Sequence, residues 1–403
     1  MARRRDDTRE ADIRTEAADD REDIRRRRKK NARRRLVRRL ILLTLLVTVV
    51  AVLWNHWDTL APDKLIPRIQ DALNDSGGTY PVDVSGSNIQ ALAQTQNYTV
   101  TLSDSYLTYY NSAGSELTRY SCTYSHALLR TAGKYALVAE QGGKRFQLHT
   151  RSLTVAEGTA SRSILAAAVN DRGQFALLTQ GADGYAVDLV VYDRRGTVLY
   201  TRSRSRQAVG VALSPTGDQA ALISVEAVNG VLNTVVEAFS VTSEAAEALY
   251  TYTAADTLLY RLEYLEGGRL AAVGENGLYL LDPSTAAEPA VLSLSGQRLL
   301  SFAPADKGLA VAVRNYGDTG GGTVIVWNSR GEECVRTDFR GDLRSLTGDS
   351  KGFLLLTDGY VQSFSYTAAG EPVEVASDGQ QAVRGSAGAV VLGLSTLQSY
   401  TLK

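Results

Sequence analysis

The chain has 403 residues, 44 basic and 44 acidic side chains, and two cysteines. Two cysteines are too few for a disulfide framework, so stability must come from packing. The neutral total hides a division: residues 1–39 hold 17 Arg and Lys against 9 Asp and Glu, and the remainder holds 27 against 35.

Residues 1–35 mix charges densely with almost no large apolar side chain. Such a segment cannot bury enough surface to offset chain entropy, and the reading is a basic, disordered tail. From Arg25 to Arg39 there are 11 basic residues and no acid. The run abuts an apolar segment. That position favours a topology signal or contact with anionic lipid headgroups over a nucleic-acid partner.

Residues 36–57 read as a membrane-spanning helix. From Leu40 to Trp54 there is no charge, and only Thr44 and Thr48 are polar. With its flanks the run reaches the roughly 20 residues that cross a bilayer. Arg38 and Arg39 would snorkel at one interface, and Trp54 and Trp57 would lie in the other. No Ala-x-Ala-like site follows, which argues against a cleaved signal peptide. The charge asymmetry places the N-terminus in the cytoplasm and the body outside it. The chain carries 36 Arg against 8 Lys and is rich in Ala and Gly, a usage associated with bacterial genes of high GC content.

Residues 58–79 read as a stalk with a short helix. Asp63 can cap it, Pro67 sits in its first turn, and Leu65, Ile66, Ile69 and Leu73 share one face.

From Tyr80 onward the apolar period becomes two, and the remaining body is too long for one ordinary core. Apolar runs recur at Asn97, Gly133, Gly173, Gly217, Gly268, Gly308, Gly352 and Gly388, spaced 36, 40, 44, 51, 40, 44 and 36 residues apart. A second marker, an aromatic strand end followed by a turn closing on glycine, recurs as Tyr110–Gly114, Tyr192–Gly196, Trp327–Gly331 and Tyr366–Gly370. A glycine with positive φ is expected at that position. A repeat of about 40–45 residues with four short strands is a β-propeller blade. Eight inner-strand markers predict eight blades, with seven as the alternative. The last repeat stops after its third strand. Residues 80–85 are predicted to supply the fourth and close the ring.

Ser214-Pro-Thr-Gly-Asp218 and Asn170-Asp-Arg-Gly173, each before an apolar strand, resemble the turns of bacterial WD-type and TolB-like propeller repeats. With the basic tail, the single anchor, residues 80–88 and Tyr109–Gly114, the chain is similar to an uncharacterised family of membrane-anchored propellers of Gram-positive bacteria. The resemblance covers residues 36–403 and implies architecture and location, with no activity attached.

The search for chemistry returns little. His56, His126 and His149 have no partner at metal-ligand spacing, and no Walker, H-E-x-x-H or G-x-S-x-G pattern occurs. Gly320-Gly-Gly322 reads as a loop, Asp183–Asp188 as a hairpin turn, and six tyrosines from Tyr98 to Tyr124 as cross-strand packing. Quinone-dependent propeller enzymes repeat a docking tryptophan, and this body has only Trp327. The expectation is an extracytoplasmic binding or scaffolding propeller for a protein or cell-envelope ligand, with no cofactor and no catalysis. The alternative is an envelope hydrolase or oxidoreductase with a dispersed, loop-borne site. Cys122 and Cys334 fall in the first and sixth repeats, too far apart on the ring to bridge.

Overall fold

The computed structural model describes residues 77–96, 98–243, 247–285, 287–385 and 388–402, together with Thr44. The predicted tail, the predicted membrane-spanning segment apart from Thr44, the membrane-interface residues Arg38, Arg39, Trp54 and Trp57, and the stalk as far as residue 76 lie outside the described residues. Among the described residues no helix is long and apolar enough to cross a membrane.

Among the described residues, 32 strands form eight four-stranded antiparallel sheets. Blade 1 is β2 (Ile89–Thr95), β3 (Tyr98–Ser103), β4 (Tyr106–Tyr110) and β5 (Glu116–Ser121). Blade 2 is β6 (Ala127–Ala132), β7 (Tyr135–Glu140), β8 (Arg145–His149) and β9 (Thr154–Thr159). Blade 3 is β10 (Ile164–Val169), β11 (Phe175–Gln180), β12 (Val187–Tyr192) and β13 (Val198–Arg204). Blade 4 is β14 (Gln207–Leu213), β15 (Gln219–Val228), β16 (Val231–Ser240) and β17 (Tyr250–Ala254). Blade 5 is β18 (Leu259–Tyr264), β19 (Leu270–Gly274), β20 (Gly277–Leu281) and β21 (Ala290–Ser293). Blade 6 is β22 (Gln297–Ala305), β23 (Gly308–Asn315), β24 (Gly322–Asn328) and β25 (Glu333–Phe339). Blade 7 is β26 (Leu343–Asp349), β27 (Gly352–Thr357), β28 (Tyr360–Phe364) and β29 (Val373–Glu374). Blade 8 is β30 (Gln381–Arg384), β31 (Ala389–Leu392), β32 (Thr396–Tyr400) and, from the other end of the chain, β1 (Val82–Asp83). The propeller therefore has eight blades, not seven.

First strands of neighbouring blades lie against one another, β2 on β6, β6 on β10, β10 on β14, β14 on β18, β22 on β26 and β26 on β30, with β30 returning to β2. They line the axis. The eight apolar markers are the second strands of their blades, one step out from the axis. The reason is coverage. A second strand is buried on both faces, so both of its alternating side-chain sets must be apolar. In β11, Phe175 and Leu177 pack with blade 2, while Ala176 and Leu178 pack with blade 4. In β27, Phe353 and Leu355 face blade 6, and Leu354 and Leu356 face blade 8.

The third-to-fourth turns explain the second marker. Asn111 Oδ1 accepts from the N–H groups of Ala113 and Ser115, Asp193 Oδ1 from Arg195 and Thr197, and Asn328 Oδ1 from Arg330 and Glu332. Gly114, Gly196 and Gly331 follow at φ of 90°, 83° and 83°. Gly370 does not adopt positive φ. There Ser365 shapes the turn, its Oγ accepting from Thr367 and Ala368, and Gly370 N donates to Ser363 O at the strand edge.

Closure is as expected, though the paired strand, Val82–Asp83, is shorter than residues 80–85. Val82 pairs with Leu397 and Asp83 with Thr396, and Val84 N donates to Ser395 O at 2.8 Å. The strap also grips blade 1. Tyr80, Val82 and Val84 share a cluster with Tyr110 and Leu92 of blade 1 and with Leu397 of blade 8. Cys122 is buried, Cys334 is half-buried, and both are free.

Deleting residues 1–79 leaves this strap intact, so the product is expected to fold and stay monomeric. Deleting residues 1–87 removes three apolar side chains from the closing interface, a loss of about 3–6 kcal/mol, and bares the edge of β32. Thermal melts and light scattering of the two truncations compare them directly. Identical melting would show that the ring does not depend on the strap.

Candidate binding surfaces of the ring

Because strands alternate in direction, turns fall on two faces. The upper face carries the second-to-third turns and the crossovers between blades. The lower face carries the first-to-second and third-to-fourth turns. The chain enters on the lower face, where Asn111 Nδ2 in the blade 1 hairpin donates to Gly77 O at 3.3 Å.

The upper face has one projecting element. β15 and β16 are ten residues each, whereas no other second strand exceeds the eight of β23 among the described residues. Their pairing continues through Glu226↔Asn233, Ala227↔Leu232 and Val228↔Val231. β14 stops at Gln207↔Val225 and β17 at Thr234↔Ala254, so this tip stands beyond the sheet. Asn229 and Gly230, at φ of 53° and 81°, make the two-residue turn that matches strand twist. Val228, Val231 and Leu232 at the tip are 44%, 42% and 42% exposed. Tyr185, Tyr316 and Leu394 are exposed on other turns of the same face. Sequence reasoning missed this finger, although its signal was present: the 51-residue spacing from Gly217 to Gly268 is the longest of the series, and Val-Asn-Gly-Val lies inside it.

An ionic cluster holds the finger's root. Arg206 pairs with Glu226, and Arg204 with the buried Glu237. Burial, and then the like charges of Arg202 and Arg206, lower the pKa of Arg204. The guanidinium groups of Arg204 and Arg202 also lie 5.1 and 5.6 Å from the Phe239 ring centroid.

Two sets of charges meet across the axis. Arg130 on β6 lies in the field of Arg261 and Glu263 on β18, three blades away. Burial, and then Arg261, lower its pKa to about 10, with Glu263 opposing. Arg261 Nε donates to Glu263 Oε1 at 2.8 Å. On the lower face, Asp171 follows β10 and Asp306 follows β22. Burial, and then the charge of Asp306, raise the Asp171 carboxyl.

The remaining sequence candidates are structural. His149 stacks on Tyr120 with ring centroids 4.4 Å apart, and its Nδ1 lies 3.1 Å from Thr154 Oγ1. Tyr109 meets Tyr120 edge-on at 6.1 Å, and Tyr98, Tyr110 and Tyr124 pack in the clusters beside blade 1, in keeping with cross-strand packing. Tyr106 stays exposed beneath the guanidinium of Arg119. Asp183 and Gly184 form the hairpin turn at φ of 51° and 88°, and residues 316–321 form the loop between β23 and β24. Among the described residues no group of His, Cys, Asp and Glu could hold a metal ion. His126 is exposed in the crossover to blade 2.

The sequence model of a family of unknown function, DUF5711, matches residues 78–370. The chain belongs to that family. No curated protein matches it. Among solved structures it is similar to Sqt1 of Saccharomyces cerevisiae, with a TM-score of 0.55 and 10% identity over 80% of this chain and 98% of that one. It is also similar to apo AztD from Citrobacter koseri, with a TM-score of 0.48 and 12% identity over 72% of this chain and 86% of that one. At these identities the likeness is one of fold alone.

His149 makes stability depend on pH. Burial depresses its pKa from 6.5 to about 4, so the unfolded chain takes up the proton first. The stability is fully present above pH 6.5 and is lost as pH falls toward 4, by about 3 kcal/mol at the end of that window. Melting temperatures measured across that window should fall less steeply for His149→Gln than for the native chain. Parallel slopes would assign the acid sensitivity to other groups.

Proposed function

We propose that this DUF5711 protein is a membrane-tethered, extracytoplasmic binding or scaffolding module without catalysis, in a Gram-positive bacterium. Residues 36–57 anchor it, with Arg38 and Arg39 at the cytoplasmic interface and Trp54 and Trp57 at the outer one. The basic tail remains in the cytoplasm near anionic headgroups. The charge division on either side of the apolar run supports this orientation.

The observation that carries the binding role is the finger. An apolar tip on a braced hairpin is held out of the core at a cost in hydration, and a partner surface that covers it recovers about 25 cal/mol per Å². Tyr185 and Tyr316 extend the same face with side chains enriched in protein interfaces. Gly77, where the described chain begins, lies on the opposite face. The groups whose protonation is most displaced, such as Tyr109, Tyr264 and Cys122, are packing residues shifted by burial, which also supports a non-catalytic reading. The alternative of an envelope hydrolase or oxidoreductase draws on Asp171, whose carboxyl is raised by burial and then by the charge of Asp306, as happens at acid–base sites.

Protease added to intact protoplasts should remove the propeller; protection until the membrane is opened would reverse the orientation. A photo-crosslinking residue placed at Val231 or Tyr316 in native cells should give adducts of discrete mass. The same residue at Leu153, on the lower-face turn of blade 2, should not. Equal adducts from all three positions would remove the upper face as the binding surface.

A further inference from the structure

The strands that line the axis carry a charge opposite to that of the ring they hold together. Residues 77–403 contain 25 Arg and Lys against 31 Asp and Glu. The eight first strands nevertheless carry Arg130, Arg261, Arg298, Arg344 and Arg384 against only Glu263 and Asp349. Both acids are engaged, Glu263 by Arg261 at 2.8 Å and Asp349 by Arg384 at 2.6 Å. Arg130, Arg298 and Arg344 have no acidic partner within salt-bridge distance among the described residues. Arg130 is the most enclosed of the three, and its one hydrogen bond is from Nη1 to Leu129 O at 3.1 Å. Among the described residues the rest of its fork has no protein acceptor. A guanidinium held this way is under-solvated, and its planar donors match a carboxylate in bidentate fashion.

Beside these charges stands an apolar arc. In six blades the first strand bulges against the second at the same place near its start. The extra residues are Leu165, Val209, Tyr260 and Leu300 in the consecutive blades 3 to 6, with Gln90 and Arg344 in blades 1 and 7. Val209 and Tyr260 are each 42% exposed although they sit on the innermost strands, so the axis is open to solvent beside them. A bulge re-aims a side chain; Leu165 and Leu300 turn half-buried against the clusters between blades, and Val209 and Tyr260 are left as the apolar side chains at the mouth of the axis.

We propose that the axis binds a carboxylate carried on an apolar peptide, either an acidic side chain or a chain terminus of a partner protein, with Arg130 as its principal contact. Glu263 in the same space penalises a dianion, so the site favours a monoanionic carboxylate over a phosphate. This site is separate from the finger and stands whether or not the finger binds a partner.

The test uses the full chain in detergent and a fluorescein-labelled hexapeptide, Leu-Glu-Leu-Glu-Leu-Glu, with a free C-terminus. Anisotropy should report saturable binding that weakens as NaCl rises from about 20 to about 300 mM. The amide-capped Leu-Gln repeat should not bind. Arg130→Gln should weaken binding about tenfold or more, as expected for one charge-assisted pair. Arg130→Lys should weaken it less, and Arg194→Gln on the lower face and Val231→Glu on the finger should leave it unchanged. Thermal melts of each variant confirm that the ring is intact; if Arg130→Gln alone unfolds, Arg130→Lys decides. No binding of the acidic peptide, binding indifferent to Arg130, or displacement by inorganic phosphate more effective than by acetate would each overturn the assignment.

Discussion

Every part of this ring depends on sharing apolar strands between neighbours. No blade has a core of its own. Among the described residues the buried side chains fall into eight clusters, and each straddles two consecutive blades. A second strand sends alternate side chains to opposite interfaces, so one blade cannot be removed without exposing two. This arrangement lets a long chain stay packed without one oversized core. It also means that an open ring would have two bare faces. The strap answers that problem by pairing with blade 8 while inserting Tyr80, Val82 and Val84 between blades 8 and 1.

With packing settled between the blades, the edges and the axis are left free to vary. The finger of blade 4 shows this. Its root is braced by Arg206 and Glu226 and its base by the buried Glu237, so the apolar tip is carried on a fixed element and not on a loose loop. Removing an acid from such a cluster would leave partly buried guanidinium groups facing one another, which is costly. The axis varies in the same way. First strands pack mostly through small residues in blade 3 and bear arginines in blades 2, 5, 6, 7 and 8.

Much of the architecture was legible because the doubly buried strand leaves a fully apolar word in the sequence after each turn, from Tyr98 to Val391. Eight such words count eight blades. The terminal blade was legible because its fourth strand was missing at one end and a short β-patterned segment stood at the other. Other features were not legible, for physical reasons. An arginine in a first strand has the same local pattern whether it points at solvent outside the ring or across the axis, so Arg130 carried no mark. The turn at Gly370 followed the repeat in composition, yet Ser365 Oγ supplies there the hydrogen bonds that Asn111, Asp193 and Asn328 supply elsewhere, and Gly370 does not adopt positive φ. The finger was visible only as an over-long spacing, which a count of repeats absorbs without comment.

The join between Asp83 and Thr396 has a consequence for how the protein comes into being. The first strand of the ring cannot find its partner until almost the whole chain has been made. At about 5–20 residues per second, roughly 15–60 s separate the two. During that interval seven blades can stack in order as they emerge, while the segment that locks them stays unpaired. The protein's vulnerable moment is therefore its completion, not its start.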